Sequence, residues 1–156
     1  MVFSMERREL EQFLHEYIPL SKAMGVQVRK SNADHVVLSA PLVPNRNHHS
    51  TVFGGSVSAV AILTAWALLY IRLRQAGLQS RLVIRQNTMK YERPIAGKFI
   101  ASSSVEDLTA WERFQEMLKR KRRARISIKV RIRCNGQDVG EMHGEFVALA
   151  GPAGTA

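Results

Sequence analysis

The sequence has little cysteine, and we expect it to contain neither a secretory signal nor an interdomain linker. Its single cysteine, Cys134, excludes an intrachain disulfide framework and is typical of a reducing compartment. The first segment, MVFSMERRELEQFLHEY, is charged within a few residues and has no apolar run of the secretory kind. No internal repeat interrupts the 156 residues, and their 46% hydrophobic content is enough for one core. We therefore expect a cytoplasmic protein with one domain over residues 1–150 and a frayed tail over residues 151–156.

Acidic residues are also scarce. The chain has 13 Asp and Glu against 23 Lys and Arg, which gives a formal net charge of +10. No carboxylate occurs between Asp34 and Glu92. An excess of positive charge this large predicts an anionic partner. Nucleic acid, lipid headgroups and an acidic protein all fit that description, and charge alone does not select among them.

Charge of either sign is absent from Ser50 to Ile71. About 20 apolar residues are enough to cross a bilayer, so the length of this run fits a membrane span. Three features favour a buried helix instead. Small and polar residues dilute the run, basic residues flank both of its ends, and half-apolar strands elsewhere need a surface to pack on. A helix that is apolar on all sides is typical of a core surrounded by a sheet, so we expect no membrane span.

Periodicity predicts the elements on either side of this helix. Apolar residues recur at helical spacing from Leu10 to Ile18, with Ser4 as the candidate cap. Strand-like runs follow at residues 26–30 and 35–42. After the long helix ends near Gly77, further strands are predicted at residues 81–93 and 98–105. We expect these later strands to continue mainly as a meander.

The C-terminal third predicts a short helix and a hairpin. The sequence TAWE forms a capping box at Thr109, and the helix that follows carries three apolar residues on one face, Trp111, Phe114 and Leu118. Strict alternation from Ile126 to Arg133 predicts a strand with one polar face, and CNGQD supplies a tight turn. A last strand, residues 138–149, contains Gly140 and Gly144, which indicate a bulge or a close backbone approach. The whole pattern favours an α+β fold in which an antiparallel sheet surrounds one long helix.

Several segments resemble one known family. These are LSAPLVPNRNHHSTVFGGSVSAVAILTAWALLYIRLRQAGL, MKYERPIAGKFIASSSVED and KRKRRARISIKVRIRCNGQDVGEMHGEFVAL, and the most specific pieces are the PNxNxxxTxFGGS loop and YxRP. In this order they resemble the hotdog-fold thioesterase family typified by the C-terminal domain of the bacterial protein YiiD. The resemblance implies a hotdog fold, a homodimer, and a substrate that is an acyl thioester of coenzyme A or acyl carrier protein. It leaves open whether dimers pair into tetramers.

The resemblance also implies a site. In hotdog enzymes the thioester lies at the dimer interface near the start of the central helix, where backbone N–H groups face its carbonyl. Gly54 and Gly55 fit this role because a missing side chain lets a ligand approach the backbone, although close helix packing is the alternative. His49, Phe53 and Ser56 are further candidate substrate contacts. The alternative for His49 is a surface loop histidine, and the alternative for Ser56 is a hydrogen bond to a carbonyl of its own helix. No metal and no further cofactor is implied, since phosphopantetheine comes with the substrate.

The sequence departs from hydrolytic hotdog enzymes of the phenylacetate-pathway type, which carry HGG followed by an acid along the helix. Aligned on the glycines, Phe53 replaces the histidine and Ile62 replaces the acid. Both changes remove groups that general-base or nucleophilic catalysis would use. Three carboxylates from elsewhere are candidate substitutes, namely Glu92, Glu106 and Asp107.

A reaction without a base fits this residue set better. Some members of the resembled family decarboxylate malonyl-acyl carrier protein to acetyl-acyl carrier protein, which requires donors for an enolate oxygen. Asn45 and Asn47 are the candidate catalytic donors, and loop-shaping through Asx turns is the alternative for both. On this hypothesis Asn45→Ala leaves folding intact and abolishes most turnover. Thioester hydrolysis is the second hypothesis, and a non-catalytic binder of acyl thioesters or nucleic acid is the third.

A basic run provides the candidate docking surface for a carrier. It contains six cations, Lys119, Arg120, Lys121, Arg122, Arg123 and Arg125. Acyl carrier proteins are strongly acidic, so the resemblance makes them the expected partner of this run, and steering of this kind weakens with salt. A solvated helix end is the simplest alternative. Nucleic-acid binding is the other, but no aromatic platform or reader motif accompanies the run.

Overall fold

The computed structural model describes residues 3–151 and contains one six-stranded antiparallel sheet wrapped around a long helix. The strands lie in the order β1-β2-β4-β5-β6-β3. The helices are α1 (Arg7–Tyr17), α2 (Pro19–Ala23), α3 (Gly54–Gln75) and α4 (Leu108–Lys121). The strands are β1 (Gln27–Ser31), β2 (His35–Ala40), β3 (Ser80–Tyr91), β4 (Phe99–Ser104), β5 (Arg123–Cys134) and β6 (Gln137–Ala150).

Helix α3 is the uncharged run of the sequence, and the structure places it in the core. By length and composition it could cross a membrane, but 61% of its most apolar window is buried inside the protein. Strands β2 to β6 contact one side of it. On another side Phe13 of α1 stacks on Trp66 and Tyr70 of α3. Because protein surrounds α3, it needs no polar face, and the prediction of an interior helix is confirmed.

The β5–β6 hairpin also follows the sequence pattern. Side chains of β5 alternate strictly between exposed and buried. The turn uses Asn135 and Gly136 at φ 52° and 74°, the positive values that a tight two-residue hairpin turn requires. A bulge lies between Ile132 and Arg133. At Gly140 an added Cβ would lie 2.8 Å from the backbone oxygen of Lys90, so both predicted features, a bulge and a close backbone approach, occur here.

The strand order corrects one prediction. A meander would place β3 beside β4, its neighbour in sequence. Among the described strands, β3 instead pairs only with β6, at the far edge of the sheet. Strand β4 instead lies between β2 and β5. Periodicity could not reveal this, because an apolar face shows that a strand is covered but not which strand lies beside it.

The two predicted helix caps are wrong, each by two residues. Helix α1 begins after Glu6, which forms a reciprocal capping box with Glu9, so Ser4 is not its cap. Helix α4 begins after Asp107, whose carboxylate accepts a hydrogen bond from the Ala110 amide at 3.0 Å, so Thr109 is not its cap. Carboxylates substitute for hydroxyls at both positions, since either oxygen can accept from a free first-turn amide.

The Asp107 cap gives a direct stability test. We expect Asp107→Ala to lower the free energy of unfolding by about 1 kcal/mol, because one first-turn amide loses its acceptor. Thr109→Ala is the matched control, and its effect should be within about 0.5 kcal/mol of zero, as for other exposed surface positions. Urea denaturation of both variants measures the difference. Equal losses in the two variants would contradict the assignment of Asp107 as the cap.

The two edges of the sheet are unequal. At the β1 edge, the Val28 amide donates to Glu11 of α1 at 2.8 Å, and Ser31 donates through Oγ to the Met5 backbone oxygen at 2.8 Å. Helix α1 and its leading segment therefore cover that edge. At the other edge β3 is 12 residues long, and within residues 3–151 it pairs on one side only. Most of its side chains are exposed, including Val83 at 51%.

The C-terminal end of the described chain is anchored. The Gly151 amide donates to the backbone oxygen of Gln79 at 3.1 Å. The rest of the predicted frayed tail, residues 152–156, lies outside the described residues.

Candidate functional site

A hydrogen-bonded loop connects β2 to the amino end of α3. The Asn47 amide donates to the Thr51 oxygen at 2.7 Å, and the Phe53 amide donates to the Asn45 oxygen at 2.7 Å. The loop is also tied to the segment after β3, because the Val52 amide donates to the Ile95 oxygen at 2.8 Å. The start of α3 is therefore held at a fixed position against the end of β3.

Asn45 is the buried centre of this loop. Its side chain is 2% exposed, and Nδ2 donates to the backbone oxygens of Met24 and Pro41, both at 2.8 Å. Both amide hydrogens are thus used within the protein, which leaves none for a substrate oxygen. Its Oδ1 is buried without a hydrogen-bond partner among the described residues. The free atom of Asn45 is therefore an acceptor, and its geometry is that of a residue that positions the loop.

Asn47 closes an Asx turn at the outer end of the same loop. Its Oδ1 accepts from the amides of His49 at 2.9 Å and Thr51 at 3.2 Å. Its Nδ2 donates to Thr51 Oγ1 at 2.9 Å. These bonds match the loop-shaping alternative that the sequence left open, because an Asx turn uses the side chain in place of a backbone acceptor.

Two backbone N–H groups at the start of α3 remain available. Phe53 precedes the helix with extended backbone, φ −58° and ψ 131°, and its oxygen accepts from the Ser56 and Val57 amides. The Gly54 and Gly55 amides have no acceptor among the described residues. They lie at the positive end of a 22-residue helix dipole. Adjacent free donors at a helix start favour an oxygen that carries or develops negative charge.

Two aromatic rings frame the glycine pair. Phe53 is 58% exposed, and its ring lies against Gly55, where an added Cβ would clash with it. Tyr91 lies beside Gly54, and its hydroxyl donates to the Gly54 backbone oxygen at 3.0 Å. Sequence reasoning missed Tyr91, although it begins the YERP piece of the family signature. The YxRP motif was the signal that could have identified Tyr91. In the structure, Tyr91 contacts the start of α3.

The other predicted substrate contacts differ in exposure. His49 is exposed, and its ring lies 3.8 Å from that of His48, centre to centre. Ser56 is half-buried in the first turn of α3. Ile62 is half-buried among core residues, and α3 carries no carboxylate along its length.

The three candidate carboxylates are not gathered at the helix start. Glu106 lies 3.9 Å from Arg131, and Asp107 caps α4, so both belong to the region around α4. Glu92 is exposed and directly follows Tyr91, the residue whose hydroxyl contacts Gly54. Of the three, Glu92 is the one whose neighbour in sequence contacts the start of α3.

The basic run lies at the opposite end of α3. Lys119, Arg120 and Lys121 form the last turn of α4, Arg122 ends the helix with φ 60°, and Arg123 and Arg125 are exposed on β5. A hollow of about 250 Å³ separates Lys119 and Arg122 from residues 77–79, just before β3. Within one subunit the run is therefore separated from Gly54 by the length of α3, about 33 Å at 1.5 Å per residue.

Comparison with known proteins supports one family. The family model described as "Putative thioesterase (yiiD_Cterm)" matches residues 7–150. A protein of unknown function from Chlorobaculum tepidum TLS is 27% identical, with a TM-score of 0.87 and coverage of 93% of this chain and 94% of that chain. A "putative thioesterase" from Shewanella oneidensis is 23% identical, with a TM-score of 0.78 over 92% and 96% of the two chains. A "probable thioesterase" from Pseudomonas aeruginosa is 18% identical, with a TM-score of 0.81 over 95% and 99%.

The structural matches confirm the predicted fold, a hotdog with its sheet wrapped around α3. The family match agrees with the resemblance drawn from the loop and the YERP segment. It supports an enzyme class that acts on acyl thioesters. With 144 consecutive residues inside the match, from 7 to 150, this chain belongs to the YiiD C-terminal-domain family of thioesterase-like hotdog proteins.

Proposed function

We propose that this protein binds a malonyl thioester at the amino end of α3 and decarboxylates it, converting malonyl-acyl carrier protein to acetyl-acyl carrier protein. The observation that carries the proposal is the pair of backbone donors at Gly54 and Gly55, which have no acceptor within residues 3–151 and lie on a helix with no carboxylate. The site thus offers stabilisation for an oxyanion and little means of activating water.

The proposed step needs only that stabilisation. The bond between the malonyl methylene carbon and its carboxylate breaks, and CO2 leaves. The bonding electrons form an enolate whose negative charge lies on the thioester oxygen, and a proton from water then gives the acetyl thioester. Donors aimed at that oxygen lower the barrier, and each is typically worth about 10²–10³ in rate. The partial positive charge of the α3 amino end acts in the same direction.

The roles of the two asparagines change accordingly. We assign the oxyanion contacts to the backbone amides of Gly54 and Gly55. Asn45 acts through the loop, because its own backbone oxygen holds the Phe53 amide while its side chain fixes Met24 and Pro41. Asn47 holds the outer turn of that loop. Both are positioning residues in this proposal.

A homodimer is part of the proposal. The family resemblance implies one, and the outer edge of β3, which pairs with no described strand, supports it, since a long unpaired strand is a template for pairing. The β1 edge is covered by α1, which leaves β3 as the edge for a second copy. Pairing of two β3 strands would extend the sheet from six strands to twelve.

Hydrolysis of an acyl thioester is the alternative, favoured by one observation. Glu92 directly follows Tyr91, whose hydroxyl contacts Gly54, and a carboxylate beside the glycine pair could orient a water molecule. The two reactions leave different products on the carrier. Decarboxylation leaves an acetyl group attached to it, whereas hydrolysis leaves a free phosphopantetheine thiol.

The test is incubation of the purified protein with malonyl-acyl carrier protein, followed by mass spectrometry of the intact carrier. We expect stoichiometric acetyl carrier and released CO2. Free carrier with malonate would select hydrolysis, and Glu92→Gln should then abolish the reaction. Acetyl-acyl carrier protein is the control substrate, because it has no carboxylate to lose and should remain unchanged. A malonyl carrier that survives intact would contradict the proposed function.

A further inference from the structure

The cations and the site lie at opposite ends of one subunit. Helix α3 separates Gly54 from its carboxyl end by about 33 Å. The basic run lies at that carboxyl end, because Lys119 and Arg122 line the hollow beside residues 77–79. A carrier docked on the run would therefore be one full helix length from the glycine pair of the same subunit.

The sheet ties the basic run to the start of β3. Arg122 accepts through its backbone oxygen from the Ala150 amide at 2.9 Å, and Ala150 is the register partner of Ser80. Arg122 is thus two strands away from the open edge, about 10 Å at ~4.8 Å per strand. The other end of β3, at Tyr91, contacts the start of α3. The open strand therefore has the cations near its first residue and the thioester site at its last.

Antiparallel pairing of two β3 strands would bring the first residue of one strand next to the last residue of the other. When β3 pairs with a second β3 along its full length, Ser80 of one copy lies opposite Tyr91 of the partner subunit. The separation between Arg122 and the partner subunit's Tyr91 is then three strand spacings, about 14 Å. That is less than half the separation within one subunit.

We infer that the basic run of one subunit docks the carrier for the thioester site of the other. The inference rests on the proposed function, since it names the partner for that same site. The occupant is an acidic acyl carrier protein, selected by charge complementarity with a cluster of six cations in a chain of net charge +10. Cations of the docking subunit hold the carrier, and its thioester arm crosses the strand pair to the glycine amides of the partner.

The experiment uses mixed dimers. One subunit carries Lys119→Glu, Arg120→Glu and Arg123→Glu, which reverse exposed charges of the run but leave the helix start intact. The other carries Gly54→Pro, which removes one amide donor but leaves the run intact. The two are expressed together with different affinity tags, purified as the mixed dimer, and assayed with malonyl-acyl carrier protein. Each variant is also assayed as its own homodimer.

The mixed dimer should recover about half the activity of the wild-type dimer, because one intact run faces one intact site. The charge-reversed homodimer should show a KM for the carrier raised at least tenfold, and the Gly54→Pro homodimer should be nearly inactive. If the run served its own subunit, the mixed dimer would contain no complete site, and activity no higher than in the homodimers would overturn the inference. A wild-type dimer that turns over no thioester would instead refute the proposed function, so the two failures are distinguishable.

A matched control separates docking from total charge. Arg8→Glu, Lys22→Glu and Lys30→Glu reverse three exposed cations on α1, α2 and β1, at the covered edge of the sheet. A mixed dimer of this triple variant with Gly54→Pro should also keep about half the wild-type activity, and its own homodimer should keep the wild-type KM. A rise in KM equal to that of the basic-run variant would show that net charge alone acts, and would overturn the inference.

Discussion

Replacing Asn45 with alanine should destabilise the protein by about 2–4 kcal/mol. The buried Nδ2 donates to two backbone oxygens, those of Met24 and Pro41. Each lost bond contributes about 1 kcal/mol directly, and each carbonyl left buried without a donor adds a further penalty. Urea denaturation with an unchanged slope would measure the loss as a shift of the midpoint.

Asn47→Ala is the control for that result. Asn47 lies in the same loop, but it is only half-buried, so its loss should cost about 1 kcal/mol or less. Asn45→Asp adds a second comparison of nearly the same shape. It should destabilise at least as much as Asn45→Ala, because a buried carboxylate would face two carbonyl oxygens. If Asn45→Ala unfolds at the wild-type midpoint yet loses most turnover, the side chain is a catalytic donor after all and the positioning role is wrong.

Gly54→Pro should reduce kcat by about 10²–10³. Proline removes the N–H of the first helical residue, one of the two proposed oxyanion donors, and a single donor of this kind has that typical value. The fold should tolerate the change. Proline is favoured at the first position of a helix, and Phe53 already has the extended backbone that precedes a proline.

The matched variant is Gly54→Ala, which keeps the N–H. Its Cβ would lie 3.3 Å from the Tyr91 ring, the same contact that the proline ring would make. We therefore expect Gly54→Ala to retain activity within about tenfold of wild type, so that the difference between the two variants isolates the amide hydrogen. Similar kcat values for Gly54→Pro and Gly54→Ala would remove the Gly54 amide from the site.

The sequence was most informative where one physical requirement dominated. An uncharged run beside several half-apolar strands has to be enclosed by them, and α3 is. Alternation along β5 and the Asn135–Gly136 turn determined a hairpin from local rules alone. These features depend on burial and backbone conformation, and both can be predicted from the pattern of neighbouring residues.

Features that depend on distant residues were not predictable in the same way. The position of β3 at the sheet edge is decided by contacts with β6, some 60 residues further along. The hydrogen bonds from Asn45 Nδ2 to the backbone oxygens of Met24 and Pro41 likewise depend on the tertiary fold. The residue type indicated a donor but not its acceptors. Tyr91 reaches Gly54 for the same reason. Local patterns show what a side chain can do, and only the fold shows what it does.

The unequal edges of the sheet have a consequence for assembly at high concentration. A sheet with two open edges can add copies without limit, as in fibrils. In the described part of this chain only the β3 edge is open. Glu11 and the segment around Met5 cover the β1 edge, so pairing through strand edges would end at two copies. By covering the β1 edge, helix α1 would therefore prevent the growth of longer edge-to-edge polymers.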